Sequence, residues 1–311
     1  MLRPDPLLAA ATLCASVLAC NQPTAPTRPD VGGLASRIQG DSALNGTLYV
    51  TDRLANMVWA IDVADGRILA SSPTQVRPIG VEMAAGKVYT ANESSGTVSV
   101  FDAVTLSPRK VIALPGCSRP HHTHTSTDQS RVYVACFGSN RVAVIDTRSD
   151  ELEALWTSGT STAVTHQPWA TTNGQSVWVA NTQSHDVTEL DARTGEILRT
   201  LPTRPNPIEI VIHASSRLGY VSIPGSGLVQ IFDLAAGALA HELMVSAPEN
   251  LMIGDDGRRI LSSTGGRRSP TTTASIIDTR SFTVTTVELP GTLATHNDLT
   301  GNGKYGFVSL E

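Results

Sequence analysis

The chain has 311 residues, with 23 Lys and Arg against 28 Asp and Glu, a net charge of −5. That balance argues against a surface built to hold nucleic-acid phosphates, whose affinity comes largely from Lys and Arg, and no basic run reverses it locally. Hydrophobic residues at 41% and charged residues at 16% are those of a folded domain.

Residues 1–19 read as an export signal. Arg3 supplies positive charge, and Leu7 to Ala19 is an apolar run too short to span a bilayer as a helix. The run ends in Val17-Leu18-Ala19-Cys20, which resembles the lipobox of bacterial lipoproteins. The resemblance implies cleavage before Cys20 and lipidation of its thiol, with each buried methylene contributing about 0.8 kcal/mol to membrane anchoring. Asn21 after the Cys favours the outer membrane by the same analogy. The expected location is the bacterial cell envelope, on its periplasmic or surface side. An ordinary cleaved signal with an incidental Cys is the alternative. Residues 20–35 are rich in Pro and Thr without periodicity, as expected of an extended tether.

From residue 36 to residue 311 one strand-and-turn unit recurs. Its aromatic or β-branched strand centres on Tyr49, Tyr89, Tyr133, Trp178, Tyr220, Leu261 and Phe307. A period of roughly 40–46 residues marks a propeller or a solenoid. Each repeat predicts a strand A that starts near a Pro, then this strand B, then a strand C ending in Asp, then a strand D. Alternating Val, Thr, Tyr and Phe fit strands, and clusters of Gly, Asn, Asp and Ser fit the turns between them. The Asp that closes strand C (Asp62, Asp102, Asp146, Asp191, Asp233, Asp278) can accept from the backbone two residues on, a structural role.

Tyr49-Val50-Thr51-Asp52, Val88-Tyr89-Thr90-Ala91-Asn92, Val132-Tyr133-Val134-Ala135-Cys136 and Val177-Trp178-Val179-Ala180-Asn181 carry a family resemblance. The chain resembles the YVTN-repeat, YncE-like β-propeller proteins of bacteria. The resemblance implies an exported all-β protein, a ring of four-stranded antiparallel blades around a channel. It is weak for activity, because propellers host unrelated functions. Seven strand-B copies predict seven blades, although only six copies of strands C and D are found. The last blade is then incomplete or closed by the N-terminal segment. Six blades plus an extra hairpin is the alternative.

Strand A is innermost in such a blade, so its start should ring one mouth of the channel. Aligned on strand B, that position holds Pro78, His122, Gln167, Glu209, Asn250 and His296. The position before it holds Arg77, His121, His166, Ile208, Glu249 and Thr295. Four of the eight His residues of the chain fall in these two columns. The expected ligand site at the mouth is therefore His121, His122, His166, Gln167, Glu209, Glu249, Asn250 and His296.

Imidazole suits zinc, copper, iron or nickel. In a regular strand His122 and His124 share a face and His121 lies opposite. The candidate metal set is accordingly His122, His124, His166 and His296, for a divalent transition metal. A polar mouth that merely hydrogen-bonds its loops explains the same residues. Trp169 reads either as a stacking platform for a ligand or as core.

An enzymatic reading also exists. Propellers such as streptogramin lyase and some lactonases work with His, Glu and metal at this end of the channel, and a base there must lie within hydrogen-bond reach of its proton. No Gly-x-Ser-x-Gly elbow and no Cys-x-x-Cys-His haem motif is present in the sequence. Cys117 and Cys136 flank strands A and B of one repeat, and a disulfide and two soft-ligand thiols are both open.

The expectation is a membrane-anchored propeller, acting as a single chain, that binds a small molecule, a peptide or another envelope protein at the mouth. A metal-dependent lyase or hydrolase and a protein-interaction scaffold are the alternatives.

Overall fold

The computed structural model describes residues 46–160, 164–264, 272–289, 294–300 and 303–310. The expected signal, Cys20 and the tether lie outside the described residues. So do residues 36–45.

The described chain is all-β apart from one short 3-10 turn, Pro224–Ser226. The first sheet has three strands, β1 (Thr47–Asp52), β2 (Met57–Asp62) and β3 (Ile68–Pro73). Five four-stranded sheets follow, each antiparallel and each running inward to outward in chain order. They are β4 (Pro78–Ala84), β5 (Lys87–Asn92), β6 (Thr97–Asp102) and β7 (Pro108–Ala113); then β8 (Pro120–Thr125), β9 (Arg131–Cys136), β10 (Arg141–Asp146) and β11 (Glu151–Thr157). The fourth sheet is β12 (Thr165–Ala170), β13 (Ser176–Asn181), β14 (Asp186–Asp191) and β15 (Ile197–Pro202). The fifth is β16 (Ile210–Ile212), β17 (Leu218–Ile223), β18 (Leu228–Asp233) and β19 (Ala238–Met244). The sixth is β20 (Asn250–Ile253), β21 (Arg259–Ser263), β22 (Thr273–Asp278) and β23 (Val284–Glu288). A two-stranded hairpin, β24 (Ala294–Leu299) and β25 (Gly306–Leu310), ends the series.

This is a β-propeller. Its described residues form six blades of three or four strands plus the hairpin, which corrects the expectation of seven four-stranded blades. The seventh copy of strand B is real, but among the described residues it pairs only with its own strand A.

The core lies between the blades and not at the centre of the ring. Tyr89, Ala91, Val98 and Val100 of one sheet pack on Val132, Val134, Ala143 and Ile145 of the next. Trp178, Ala180 and Val187 do the same against Tyr220, Val221 and Ile231. Strand B is therefore buried on both faces, as in β5 and β13, and its sequence reads as a near-continuous apolar run. Strand D faces solvent, as in β7.

The Asp closing each strand C turns the chain as expected. Asp102 Oδ1 accepts from the backbone N–H groups of Val104 and Thr105, and Asp191 Oδ1 from those of Arg193 and Thr194. Polar bridges join neighbouring blades, for example Lys87 Nζ and Tyr89 Oη on Asp150 Oδ1, both at 2.6 Å. Cys117 and Cys136 form a disulfide with Cα atoms 5.0 Å apart, which removes their thiols as metal ligands.

Candidate functional site

The mouth of the channel is shaped by a register fault that recurs at the start of strand A. In β8, Pro120 pairs with Cys136 and Thr123 with Val134, so His121 and His122 together oppose one residue of β9. In β12, Thr165 pairs with Asn181 and Gln167 with Ala180, which leaves His166 as the extra residue. The same shift falls between Pro78 and Val81 in β4 and between Ala294 and Asn297 in β24. A bulge of this kind re-aims a side chain and breaks the alternation of the strand.

The consequence is convergence. The ring centroids of His121 and His122 are 4.6 Å apart, those of His121 and His166 4.9 Å, and those of His122 and His166 4.9 Å. One ligand-capable atom from each of these three residues lies within 4.8 Å of the others. The His296 ring sits 5.5 Å from that of His122. His121 therefore belongs to the cluster, against the regular alternation expected from sequence.

His124 does not belong to it. Its ring packs on Trp169 at 4.1 Å, and its Nδ1 accepts from the Ala170 backbone N–H at 3.3 Å. Trp169 is correspondingly a buried core residue. The structure thus sets His124 apart from the cluster and brings His121 into it, unlike the grouping expected from regular alternation.

The remaining mouth residues act partly as seams. Gln167 Oε1 accepts from the Ile210 N–H at 3.1 Å, and Glu209 Oε2 from the Leu251 N–H at 2.5 Å. Each bond ties a strand-A side chain to the next blade. The Asn250 backbone oxygen accepts from Asn297 Nδ2, and the Asn250 side chain is itself buried. The true register also corrects the aligned column, because Gly80, two residues beyond Pro78, stands level with His122.

Glu209 is the acid beside the cluster. Its side chain is 2% exposed, and its Oε1 lies 3.6 Å from His122 Nε2. Burial, with a further push from the charge of Glu249, raises its pKa to about 8. The imidazoles are driven the other way. Burial, then mutual repulsion with their neighbours, holds His121 and His122 well below the usual histidine range. Desolvation among the neighbouring blades lowers His296 to about 4, although the residue reaches solvent, with the nearby Arg53 adding to the effect. His121, His122 and His296 are thus neutral near pH 7, the form in which imidazole offers a lone pair to a metal. Among the described residues, His121 Nδ1 and His122 Nε2 are enclosed and have no hydrogen-bond partner.

The sequence reading missed a second set of groups, although it placed Arg77 in the column. Arg53, Glu93 and Phe137 each follow strand B in three successive sheets, while Arg77 and Arg119 each precede strand A. Glu93 is 2% exposed and is approached by all three Arg side chains: Arg53 at 2.9 Å, Arg77 at 3.5 Å, and Arg119 through two nitrogens. The Arg119 guanidinium lies over the Phe137 ring at 4.6 Å, and Phe137 stacks on His121 at 5.1 Å. Tabulating the residue after strand B, as was done for the one before strand A, would have exposed this set.

No family model and no curated protein matches the chain. Solved propeller structures do. The hydrazine synthase of Kuenenia stuttgartiensis is similar with a TM-score of 0.73 and 18% identity, over 87% of this chain and 95% of that one. Dihydro-heme d1 dehydrogenase NirN in complex with DHE is similar with a TM-score of 0.62 and 16% identity, over 86% of this chain. The match spans 59% of that second chain, less than two thirds of its length. At these identities the likeness shows the β-propeller fold alone.

Proposed function

We propose that this propeller is a binding protein whose channel mouth takes a divalent transition metal through His121, His122 and His166. The observation that carries the reading is the pair of bulges that bring three imidazoles from two blades to within 4.8 Å. Ligands about 2.0–2.1 Å from a tetrahedral ion stand roughly 3.4 Å apart, so the imidazoles need to close by ~1.4 Å at most. The 3.6 Å between His122 Nε2 and Glu209 Oε1 already suits a shared ion, which makes Glu209 the fourth donor. Three imidazoles with one exchangeable carboxylate leave room for a small-molecule ligand at the ion.

The test is titration of the purified domain with zinc and with nickel(II), beside elemental analysis after purification without chelator. One ion per chain, lost in His121→Ala/His166→Ala and retained when the exposed His185 is replaced, is the expected result. Full retention in the double variant, or no ion bound at micromolar concentration, would sink the metal reading.

A metal-dependent lyase or hydrolase is the second reading, favoured by the placing of Glu209, a buried carboxyl beside the His cluster that in this reading acts as general acid or base and does not ligate the ion. Turnover that survives in the ion-loaded protein but is lost in Glu209→Gln would distinguish it from binding alone.

We further propose the finer setting: a YVTN-repeat lipoprotein of the bacterial envelope, anchored through Cys20. The disulfide between Cys117 and Cys136 supports an oxidising compartment. Replacement of Cys20 by Ala should move the protein from the membrane fraction to the soluble envelope fraction. Unchanged membrane association would count against the anchor.

A further inference from the structure

Three guanidinium groups share one buried carboxylate at the rim beside the His cluster. Burial works against ionisation of Glu93, but the hydrogen bonds and charge of Arg119, with the charges of Arg53 and Arg77, outweigh it and hold its pKa below the usual carboxylate value. Glu93 therefore carries one negative charge against three positive ones. Among the described residues no other carboxylate is in salt-bridge range of Arg53, Arg77 or Arg119. The three Arg side chains are 44%, 48% and 51% exposed, so each presents unused N–H groups to solvent.

The rest of the local structure holds this arc in place. Arg77 and Arg119 occupy left-handed backbone conformations, with φ of 58° and 53°, immediately before strand A. Such a conformation is costly for a residue with a Cβ and persists where surrounding bonds over-determine it. Here the Arg77 carbonyl accepts from the Glu93 N–H, and the Arg119 carbonyl accepts from the Phe137 N–H. Phe137 then links the arc to the metal-ligand candidates, stacking on His121 and meeting the edge of the His166 ring at 5.5 Å. The rim is thus a fixed positive arc of local charge near +2 on a chain whose net charge is −5.

We infer that Arg53, Arg77 and Arg119 form the anion-holding arm of the mouth, docking a carboxylate or phosphate group of the ligand whose other end faces His121, His122 and His166. Guanidinium forks recognise planar and tetrahedral oxyanions through paired N–H bonds, which a point-like ammonium does not do. Glu93 sets the guanidinium positions and prevents the three from repelling one another apart. The inference extends the metal reading by naming the ligand class, and it rests on that reading for what the far end of the ligand meets.

The anion arm is testable without metal. Metal-free protein is titrated calorimetrically with inorganic phosphate and, separately, with succinate, which distinguishes a phosphate from a carboxylate preference. At least one should bind, weakening as salt is raised. Arg53→Gln/Arg77→Asn should lower that affinity about tenfold or more, since two charge-assisted contacts are lost. Asn is chosen at position 77 because it tolerates the left-handed backbone. The zinc titration is run on the same Arg variant and should be unchanged, so failure of the anion arm and failure of the metal site are read separately. Absence of binding by either anion to the unmodified protein, or equal affinity in the Arg variant, overturns the inference.

Discussion

Gly80 of β4 lies against the backbone of His121 in β8, so closely that a Cβ at position 80 would stand 2.3 Å from the His121 carbonyl oxygen. The bulge that turns His121 and His122 into the mouth needs this absence of a side chain on the neighbouring blade. Gly80→Ala should therefore cost about 1–3 kcal/mol of stability through overpacking, and it should weaken metal binding by spreading the imidazoles. Urea denaturation and zinc titration read the two effects. Unchanged stability with intact zinc affinity would show that the two strands have slack there.

His124 offers the opposite contrast. Its ring is packed on Trp169 and bonded to the Ala170 N–H. His124→Phe should leave zinc affinity within about threefold, because no ligand is removed. It should still lower stability by about 1–3 kcal/mol, because a buried N–H loses its acceptor. A large loss of zinc affinity in this variant would put His124 back among the ligands.

Reduction of the Cys117–Cys136 bond should lower stability by about 3 kcal/mol in the loop-entropy account, a drop in Tm of several degrees for a domain of this size. Thermal melts with and without reductant check it. The bond fastens the turn that leads into strand A of the third sheet to the end of strand B, close to the His121 bulge, so zinc affinity should fall in the reduced protein too. Equal melting in both states would show that the β8–β9 pairing suffices alone.

Deeper in the channel, Glu82 of β4 has its pKa raised to about 8, by burial first and then by the charge of Asp298. Burial likewise raises Asp298 itself to about 6, though it reaches channel solvent. Glu82 stays protonated in the folded protein while the unfolded chain ionises. Its contribution to stability is complete below about pH 4.5 and is lost as the pH rises towards 8. Glu82→Gln should therefore match the parent protein at pH 4 and exceed it at pH 8.5 by on the order of 1–3 kcal/mol. Parallel denaturation curves at the two pH values measure this. A gap of the same size at both would assign the effect to packing.

What the sequence revealed, and what it hid, follows from the physics of each feature. Strand B was legible because both its faces are buried between blades, which forces runs such as Val177-Trp178-Val179-Ala180. The Asp turns were legible because the bonds that make them are local. The bulges were not, since an extra residue in a strand changes register without changing composition. Regular alternation groups His124 with His122, whereas the bulge groups His121 with it. The blade count erred for a related reason. A strand-B pattern around Phe307 shows that a hairpin forms, and it carries no information on whether outer strands join it. The polarity of the mouth column was seen, but half of its cause was not: Gln167 and Glu209 spend an oxygen on the backbone of the next blade.

That double employment has a consequence for how such a mouth can drift between related chains. A substitution at Glu209 changes what the opening recognises and, in the same stroke, unpicks the join to Leu251. New specificity at these positions arrives with a structural debt, whereas Arg53 and Arg77 stand out from the rim on exposed side chains. Diversification of ligand preference is expected to begin at the rim and to reach the seam residues last.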